Sequence, residues 1–429
     1  MSYESNFDVI VLGGGFTGCA AAVSAARLGK SVLLLEASGF LGGAASNCLI
    51  FPLMPYSTFV TDEDGNDRRH YLSRGFLSEL VNDLSASGDI RGDSQFNDEA
   101  LKLLLDRKIV EAGVTPLFHA TLCGVEKNGN RIESVSVATK AGVLTFTAKM
   151  FVDCTGDADL CVMAGVPTRL GREPDNLCQP MTLCFRVANV DKKAFFEARP
   201  MWSKLHKEWK EAGRFTNPRE DILVFDYPID GMLHFNTTRV VKLNPVDPFD
   251  VTRAEMEARR QVQELLAFFR ENEVPGMEQR ARLVYTAPSI GVRESRMLVG
   301  EYVLTGKDLV ACEKFPDAVA AGNYDIDIHN PEGSGTSHYY FPKGTWYTIP
   351  FRSLIPKEED CENLLVGGRC ISCDHEAQAS IRIIPICTTT GEAAGVGASV
   401  AIDEGVPVQR ADTGKIRAQL EAQGAYTGA

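Results

Sequence analysis

A glycine-rich segment near the N-terminus constrains the fold of this chain more than any other feature. The apolar run 8–12 is typical of a short strand, the glycines of 13–18 follow at once, and the alanine-rich stretch 19–28 has helical character. A second apolar run, 31–35, ends at Glu36. Strand, helix and strand thus follow one another closely enough to form one β-α-β unit. The segment predicts an α/β protein built on a Rossmann-like parallel sheet.

The glycines of this segment stand where binding of a dinucleotide requires them. Gly13 allows a tight turn after the strand, Gly15 lets the backbone approach a pyrophosphate, and Gly18 lets the helix lie close to the sheet. The free N–H groups at the helix N-terminus favour phosphate. Glu36 stands where a carboxylate would accept the ribose hydroxyls. The alternative is a glycine-rich turn that binds nothing. The predicted contacts are Gly13, Gly14, Gly15, Phe16, Thr17, Gly18, Glu36 and Ala37.

Charge and composition exclude several classes of function. The 429 residues include 57 acidic and 44 basic side chains, which give a formal net charge of −13. Because no dense basic stripe is present, nucleic acid is not an expected partner. No apolar run approaches the roughly eighteen residues that indicate a membrane-spanning helix, so we expect a cytoplasmic protein. The twelve cysteines are spread along the chain, which is typical of buried thiols in a reducing compartment.

The pattern of apolar and polar residues changes twice along the chain. After an amphipathic helix at 97–112, alternating segments predict an antiparallel meander that leads into a strand at 149–154. Residues 166–349 mix polar helices, short strands and many prolines, and are predicted to form an inserted α+β substrate or cap domain. From residue 350 onward, apolar segments typical of a buried core return. We therefore predict a discontinuous dinucleotide-binding domain of residues 1–165 and 350–429, with no second nucleotide-binding domain.

Further motifs favour FAD over NAD. The string 36–43, Glu-Ala-Ser-Gly-Phe-Leu-Gly-Gly, resembles the second glycine doublet of the glutathione-reductase-like FAD superfamily. The string 151–157, Phe-Val-Asp-Cys-Thr-Gly-Asp, resembles its strand-Thr-Gly element. The resemblance implies that the segment near Val125 approaches the adenine and that a late helix begins at Thr388 and faces the flavin. The further FAD contacts that it implies are Gly42, Gly43, Ala44, Val125, Thr155, Gly156, Asp157, Gly368, Arg369, Thr388 and Thr389.

Longer strings resemble the bacterial family known as "FAD-dependent oxidoreductase". They include Gly-Val-Arg-Glu-Ser-Arg at 291–296 and the segments 327–333, 349–356, 363–372 and 375–382. The resemblance covers most of the chain and implies redox chemistry with non-covalently bound FAD, without indicating a substrate. One departure is Cys373, where we expect a small residue. It creates a Cys-x-x-Cys pair with Cys370, whose thiols are either structural or redox-active.

Three side chains are candidates for the chemistry at the flavin. Strict alternation in 325–329 places His329 and two aspartates on one face of a strand, and an acid-flanked imidazole can transfer a proton. Arg293, at a predicted helix start, could clamp a substrate carboxylate or offset the charge of a reduced flavin. His375 follows the strand end that faces the flavin in the resembled fold. The structural alternatives are a solvated strand face, local pairing of Arg293 with glutamates, and a turn histidine. No metal site is predicted.

Together these features predict an enzyme, an FAD-dependent oxidoreductase that transfers a hydride between a small organic substrate and flavin N5. An alternative is an electron-carrying flavoprotein subunit that needs a redox partner protein. A flavin hydroxylase is a second alternative. The third motif of such enzymes usually resembles Gly-Asp-Ala, whereas this chain has Gly367-Gly368-Arg369. The sequence leaves open the substrate, the electron acceptor or donor, and whether the chain forms a homo-oligomer.

Overall fold

A parallel sheet lies at the centre of the molecule. The computed structural model describes residues 4–173, 175–278 and 280–428. Strands β7, β2, β1 and β10 lie side by side and run parallel, which confirms the predicted β-α-β unit and the α/β fold class. The first elements are β1 (Asn6–Leu12), α1 (Phe16–Arg27), β2 (Val32–Leu35), α2 (Ala44–Asn47), β3 (Ser57–Thr61), β4 (Asp67–Tyr71), α3 (Phe76–Ser87), β5 (Ile90–Arg91), β6 (Gln95–Phe96), α4 (Asp98–Glu111), β7 (Thr115–Leu117), β8 (Thr121–Asn128), β9 (Arg131–Thr139), β10 (Gly142–Asp153) and α5 (Asp159–Met163).

Strand β10 joins the parallel part of the sheet to the meander. Its first half pairs antiparallel with β9, which in turn pairs antiparallel with β8. Its second half pairs parallel with β1, so one long strand belongs to both arrangements. The predicted meander is thereby confirmed. Strand β2 is buried along its length and β1 is buried from Val9 to Leu12, as strands covered on both faces must be, and this explains the unbroken apolar runs in the sequence.

A second, antiparallel sheet follows in the order β13-β14-β12-β15. On one face Phe185 stacks on Phe235 at a ring separation of 4.8 Å, and both belong to a core shared with the following helices. The other face carries Arg186 and His234. The remaining elements are β11 (Thr168–Leu170), β12 (Phe185–Ala188), α6 (Lys192–Glu197), α7 (Arg199–Glu211), β13 (Val224–Asp226), β14 (Leu233–Phe235), α8 (Pro248–Glu271), β15 (Arg282–Thr286), β16 (Arg296–Leu298), α9 (Gly306–Val310), β17 (Ala318–Gly322), β18 (Ile326–His329), β19 (Thr336–Tyr339), β20 (Tyr347–Pro350), β21 (Leu364–Val366), α10 (His375–Ile381), α11 (Ile384–Glu404) and α12 (Thr413–Ala422).

Strand β21 returns the chain to the central sheet, where it pairs parallel with the end of β10. The hydrophobic core around this sheet contains residues from both ends of the chain. It also contains Met297, Val319, Tyr347 and Ile349, which lie within the predicted cap domain. The boundaries of that domain at residues 166 and 349 stay a prediction.

Helix α11 packs directly against α1, backbone to backbone. A Cβ atom added to Gly391 would lie 2.2 Å from the carbonyl oxygen of Thr17, and one added to Gly395 would lie 2.1 Å from that of Ala21. Real side chains do not approach carbonyl oxygens this closely, so the contact requires glycine at both positions. The small residues of this helix serve to bring two helix axes together.

The predicted start of this late helix at Thr388 is wrong. Helix α11 begins at Ile384, with Pro385 in its first turn, where a proline loses no helical hydrogen bond. The hydroxyl of Thr388 donates to the carbonyl oxygen of Ile384 at 2.7 Å, and that of Thr389 donates to Ile386 at 2.9 Å. Both threonines are buried within the helix, so Ile384 and not Thr388 lies at the N-terminal end.

We predict that Gly395→Ala lowers the free energy of unfolding by about 1–3 kcal/mol, the usual cost of overpacking a core. The new methyl group would meet the backbone of Ala21. Gly414→Ala is the matched control, because Gly414 lies in the first turn of α12 beside the flexible carboxylate of Asp412 and alanine favours a helix more than glycine does. Urea unfolding of both variants measures the difference. Equal stabilities would contradict the close packing of α1 and α11.

A buried carboxyl group joins α11 to α3. Glu392 has 1% of its surface exposed, and its Oε1 accepts a hydrogen bond of 2.8 Å from the backbone N–H of Phe76, the first residue of α3. Burial raises the pKa of Glu392 to about 8. The side chain is therefore largely protonated at neutral pH in the folded protein.

We predict that Glu392→Gln makes stability less dependent on pH. The folded pKa of Glu392 lies above its ordinary value of 4.5, so the wild-type protein loses stability as the pH rises from about 5 to about 8. Glutamine still offers an acceptor to Phe76 but does not titrate. Urea unfolding across this pH range should show the variant gaining stability relative to wild type as the pH rises. A difference that does not change with pH would refute the raised pKa.

Candidate functional site

A cleft of about 320 Å³ opens at the carboxyl ends of the parallel strands. Open α/β sheets bind ligands at this edge, because the turns that follow neighbouring strands meet there. The cleft is lined by the turn after β1, the glycine doublet after β2, the Thr-Gly segment after β10 and the turn after β21. The predicted contacts that line it are Gly13, Gly15, Phe16, Thr17, Glu36, Gly42, Gly43, Ala44, Thr155, Gly156, Asp157, Gly368 and Arg369.

Two of the motif glycines are required by the backbone, and a third leaves space in the cleft. Gly13 has a φ of +97°, and a Cβ atom on Gly18 would lie 1.8 Å from the carbonyl oxygen of Gly13. By contrast, a Cβ atom on Gly15 would meet only Gly43, whose Cα lies 3.6 Å away. The space beside Gly15 thus belongs to the cleft and not to the core. No side chain caps the N-terminus of α1 at this point. This arrangement fits the pyrophosphate of a dinucleotide.

The carboxylate of Glu36 is fixed by backbone and side-chain donors. Its Oε2 accepts from the N–H of Gly14 at 2.6 Å, and its Oε1 accepts from both the N–H and the hydroxyl of Ser38 at 2.7 Å. Glu36 is 8% exposed and still lines the cleft, so it is oriented before any ribose arrives. Gly14 acts on the site through this carboxylate. Ala37 is exposed beside it and does not line the cleft.

Arg369 lies half-buried at the wall of the cleft beside Gly156. Its Nη2 lies 2.6 Å from Asp157 Oδ1, an oxygen that also accepts from the hydroxyl of Ser295 at 2.5 Å. A Cβ atom on Gly156 would come within 2.9 Å of the guanidinium, so glycine makes room for it. The Thr-Gly-Asp segment and the turn after β21 are thereby joined by one ion pair.

Three other residues predicted to contact FAD do not line the cleft. Val125 pairs with Val135 within the meander, and Thr388 and Thr389 lie inside α11. Conversely, the cleft includes side chains that were not predicted from the sequence. No local pattern distinguishes Arg382 within the string 375–382. The predicted helix start at Thr388 leaves Ile384 outside the helix. The lining residues not predicted are Asn47, Cys48, Ile50, Cys154, Ser289, Ile290, Gly291, Val292, Gly367, Arg382, Ile384 and Cys387.

Arg293 lies at a bend in an irregular segment, so the predicted helix start is wrong. The following residues form β16, which pairs with β11, and this pairing overrides the local helical preference. Nη1 of Arg293 donates to the carbonyl oxygen of Pro180 at 2.6 Å and to Thr182 Oγ1 at 2.8 Å. Arg296 instead donates to the carbonyl oxygen of Asp157 at 2.7 Å and pairs with Asp159. The two arginines thus serve different parts of the molecule.

His329 is buried, with both ring nitrogens close to charged groups. Its Nδ1 lies 3.0 Å from Nη2 of Arg239, and its Nε2 lies 3.3 Å from Asp327 Oδ2. Because arginine can only donate, Nδ1 must be the acceptor, and the proton resides on Nε2 and points to Asp327. Burial, together with the charge of Arg293, holds the pKa of His329 well below its usual range. The imidazole is therefore neutral, and both of its nitrogens already have polar partners.

His375 is held by a single buried carboxylate. As the first residue of α10, it places Nδ1 at 2.7 Å from Oε1 of Glu294, which is fully buried. The other oxygen of Glu294 accepts from the N–H of Gln179 at 2.9 Å. Among the described residues, no group is bonded to Nε2 of His375. An imidazole oriented by a carboxylate through Nδ1, with Nε2 left free, is the arrangement of many proton-transfer groups.

A chain of amide side chains connects these groups. Gln378 donates to the carbonyl oxygen of Arg293 at 2.7 Å and accepts from Gln179 at 3.1 Å. Gln179 in turn accepts from the N–H of His329 at 3.2 Å. The three predicted catalytic candidates, which are far apart in the sequence, therefore belong to one hydrogen-bonded network.

The thiols of Cys370 and Cys373 are both buried and free. The first lies 3.6 Å from the carbonyl oxygen of Gly367 and the second 3.6 Å from the sulfur of Met297, so they have separate surroundings. Burial raises the pKa of both thiols well above the usual value. A thiol in this state is a poor nucleophile, which favours a structural role.

A cleft built from a glycine-rich βα turn, a ribose-directed carboxylate and a Thr-Gly segment defines an FAD-binding protein of the Rossmann type. The chain belongs to the FAD-dependent oxidoreductase family, whose family model matches residues 8–420. It is an enzyme that uses FAD. No curated protein matches the sequence. Within the described ranges, every helix is too short or too polar to cross a membrane.

Several solved structures are similar to this chain at low identity. A geranylgeranyl bacteriochlorophyll reductase-like protein from Thermoplasma acidophilum is 12% identical, with a TM-score of 0.47 over 98% of this chain and 83% of the other. The p-nitrophenol 4-monooxygenase of Pseudomonas putida DLL-E4 is 12% identical, with a TM-score of 0.44 over 99% and 88%. A myxobacterial chondrochloren halogenase is 14% identical, with a TM-score of 0.44 over 98% and 79%. These likenesses do not indicate the substrate of this chain.

We predict that Gly15→Val abolishes FAD binding without unfolding the protein. The valine would meet only Gly43 in the protein but would fill the space where the backbone faces the pyrophosphate. Gly333→Val is the control, since a Cβ atom there has no neighbour within 4 Å. Visible absorbance per mole of purified protein gives the FAD content, and circular dichroism checks folding. A folded Gly15→Val protein with full flavin absorbance would show that the cofactor lies elsewhere.

Proposed function

We propose that the protein transfers a hydride between a small organic substrate and N5 of FAD held non-covalently in the cleft. The observation that carries this proposal is the position of Arg382 and of the segment 291–292. They line the cleft. Arg293 follows this segment in the chain, and Arg382 contacts Asp327, the partner of His329. Both therefore connect the cleft to the network of Arg293, His329 and His375. Bound FAD would supply the hydride acceptor or donor. The side chains of this network would orient the substrate and move the accompanying proton.

The strand order supports a defined direction for the cofactor. Because β2 and β21 lie on opposite sides of β1 and β10, Glu36 and Gly368 mark the two sides of the cleft. Glu36 would hold the ribose, and the N–H groups at the start of α1 would hold the phosphates. The N-terminus of α11, capped by no side chain, would favour negative charge on the flavin. This arrangement also supports placement in the glutathione-reductase-like FAD superfamily.

We infer that His375 is the better candidate for proton transfer, with His329 as a positioning residue. His375 has a free Nε2 and a buried carboxylate on Nδ1. His329 has both nitrogens engaged, by Arg239 and Asp327, and would act by fixing those charged groups. Arg293 would orient the substrate, because its guanidinium is held at Nη1 while the remainder of the fork stays available.

The experiment begins with an anaerobic screen of metabolites for bleaching of the visible flavin band. With the reductant so found, we predict that His375→Gln slows flavin reduction on the order of 10²-fold, the scale of a lost general acid or base. FAD content should stay at the wild-type level. The control is His119→Asn, a change at an exposed position with a φ of +53°, where asparagine is tolerated. Stopped-flow absorbance measures the rates as a function of pH.

Three outcomes would refute parts of this proposal. An unchanged rate for His375→Gln, together with a loss for His329→Gln, would return the proton-transfer role to His329. Reduction that occurs only with a co-purifying protein would favour the electron-carrying alternative. Oxygen incorporation into the product would favour the hydroxylase alternative.

A further inference from the structure

We propose that a cluster of four arginines beside the flavin cleft, formed by Arg219, Arg239, Arg293 and Arg382, binds an organic anion through its guanidinium groups. Arg239 contacts His329. This inference rests on the proposed function only in naming the anion as the substrate, since binding of the anion does not require turnover.

Arg219, Arg239 and Arg293 are joined through one strand end. Thr182 Oγ1 accepts from Arg293 at 2.8 Å and donates to the carbonyl oxygen of Thr238 at 3.0 Å. Arg239 follows Thr238 directly in the chain. The loop that carries Arg219 is tied to the same strand end, because Asn217 donates to the carbonyl oxygen of Thr237 at 2.8 Å. Three segments distant in sequence thus bring their arginines to one place.

Arg382 joins this cluster from the side of the cofactor. It lines the flavin cleft, and its Nη2 lies 3.4 Å from Asp327 Oδ2. The same carboxylate oxygen lies 3.3 Å from Nε2 of His329, whose Nδ1 contacts Arg239. A continuous line of polar contacts therefore runs from the wall of the cleft to Arg239. A ligand held by the cluster would lie next to the cofactor.

Positive charge exceeds negative charge in this region. The cluster has four guanidinium groups, whereas Asp327 is its buried carboxylate partner. The other two carboxylate partners, those of Glu220 and Asp221, have 42% and 60% of their side-chain surface exposed. Water screens such exposed groups, so they compensate a buried charge poorly.

The guanidinium groups also keep donors without partners. Among the described residues, Nη1 of Arg219 and Nε of both Arg239 and Arg382 are buried without an acceptor. Arg293 donates only from Nη1. Burial, and repulsion by Arg382, Arg219 and Arg239, lower the pKa of Arg293 to about 9. The group still holds its proton at neutral pH. Unpartnered buried donors and uncompensated charge are both relieved by a bound anion.

The geometry of a guanidinium fork selects among anions. A carboxylate accepts two parallel hydrogen bonds from one guanidinium, and a phosphate group can do the same. A neutral amide of the same shape replaces one acceptor by a donor, which would face the N–H groups of the arginines. The arginine cluster should therefore bind an acid much more tightly than the corresponding amide.

The test uses the FAD-loaded enzyme at low ionic strength with matched pairs of probes. These are acetate, succinate and benzoate against acetamide, succinamide and benzamide, with inorganic phosphate and phenyl phosphate as a separate arm. Binding is measured by calorimetry and by the change in the visible flavin spectrum. We expect at least one acid to bind about 10-fold or more tightly than its amide, and Arg219→Gln to weaken that binding by a similar factor. Arg253→Gln, at an exposed arginine of α8, should leave it unchanged.

The phosphate arm decides the chemical source of the anion. Tighter binding of phenyl phosphate than of benzoate would assign a phosphorylated substrate, and the reverse order would assign a carboxylic acid. Either order supports the anion site.

The proposal is overturned if no anion binds at up to roughly 10 mM, a concentration that detects even weak sites, or if acids and amides bind equally. Acid binding is also measured for the Arg293→Lys variant. If that variant does not fold, acid binding by Arg219→Gln and Arg382→Gln tests the proposal. Failure here differs from failure of the proposed function. A neutral reductant found in the screen would refute only the naming of the anion as the substrate, whereas acid binding with an unaffected His375→Gln variant would refute only the proton-transfer role.

Discussion

The close contact between helices α1 and α11 is the interaction on which the site depends. Gly391 and Gly395 lie against the backbone of α1, where any Cβ atom would overlap a carbonyl oxygen. Because the two helices touch along their length, their N-termini reach the same edge of the sheet. One N-terminus lies at the glycine-rich turn, and the other presents Ile384 to the cleft. A single packing constraint thus brings both helix ends to the cleft, where one would bind the phosphates and the other would face the flavin in the proposed site.

Strand β21 has a comparable effect on the second half of the site. It enters the sheet beside β10, which places Gly368 and Arg369 next to the Thr-Gly-Asp segment. Arg369 and Asp157 then form an ion pair across two segments that lie more than two hundred residues apart in the sequence. The cleft is therefore assembled from both ends of the chain together with the segment 289–292, and the region between the ends also contributes the polar network.

That network places unusual demands on a protein interior. Four arginines belong to one network that contains the buried carboxylate of Asp327, and each is partly held by backbone or side-chain acceptors. Buried charge of one sign is unfavourable unless a partner compensates it. Rigid positioning of guanidinium groups before the ligand arrives lowers the entropy that binding must overcome. The excess of positive charge is thus consistent with the proposed anion site, and it would favour an anionic substrate.

The sequence by itself determined the β-α-β unit, the glycine positions and Glu36, since these depend on residues that are neighbours in the chain and on a turn that only glycine allows. It did not determine the start of α11, because Pro385 suits a first helical turn as well as a break. It also did not reveal that Glu294 holds His375 or that Arg219 and Arg239 belong to the site. Such contacts join segments far apart in the sequence, and no local pattern records them. Only the pairing of strands in space decided which buried charges meet.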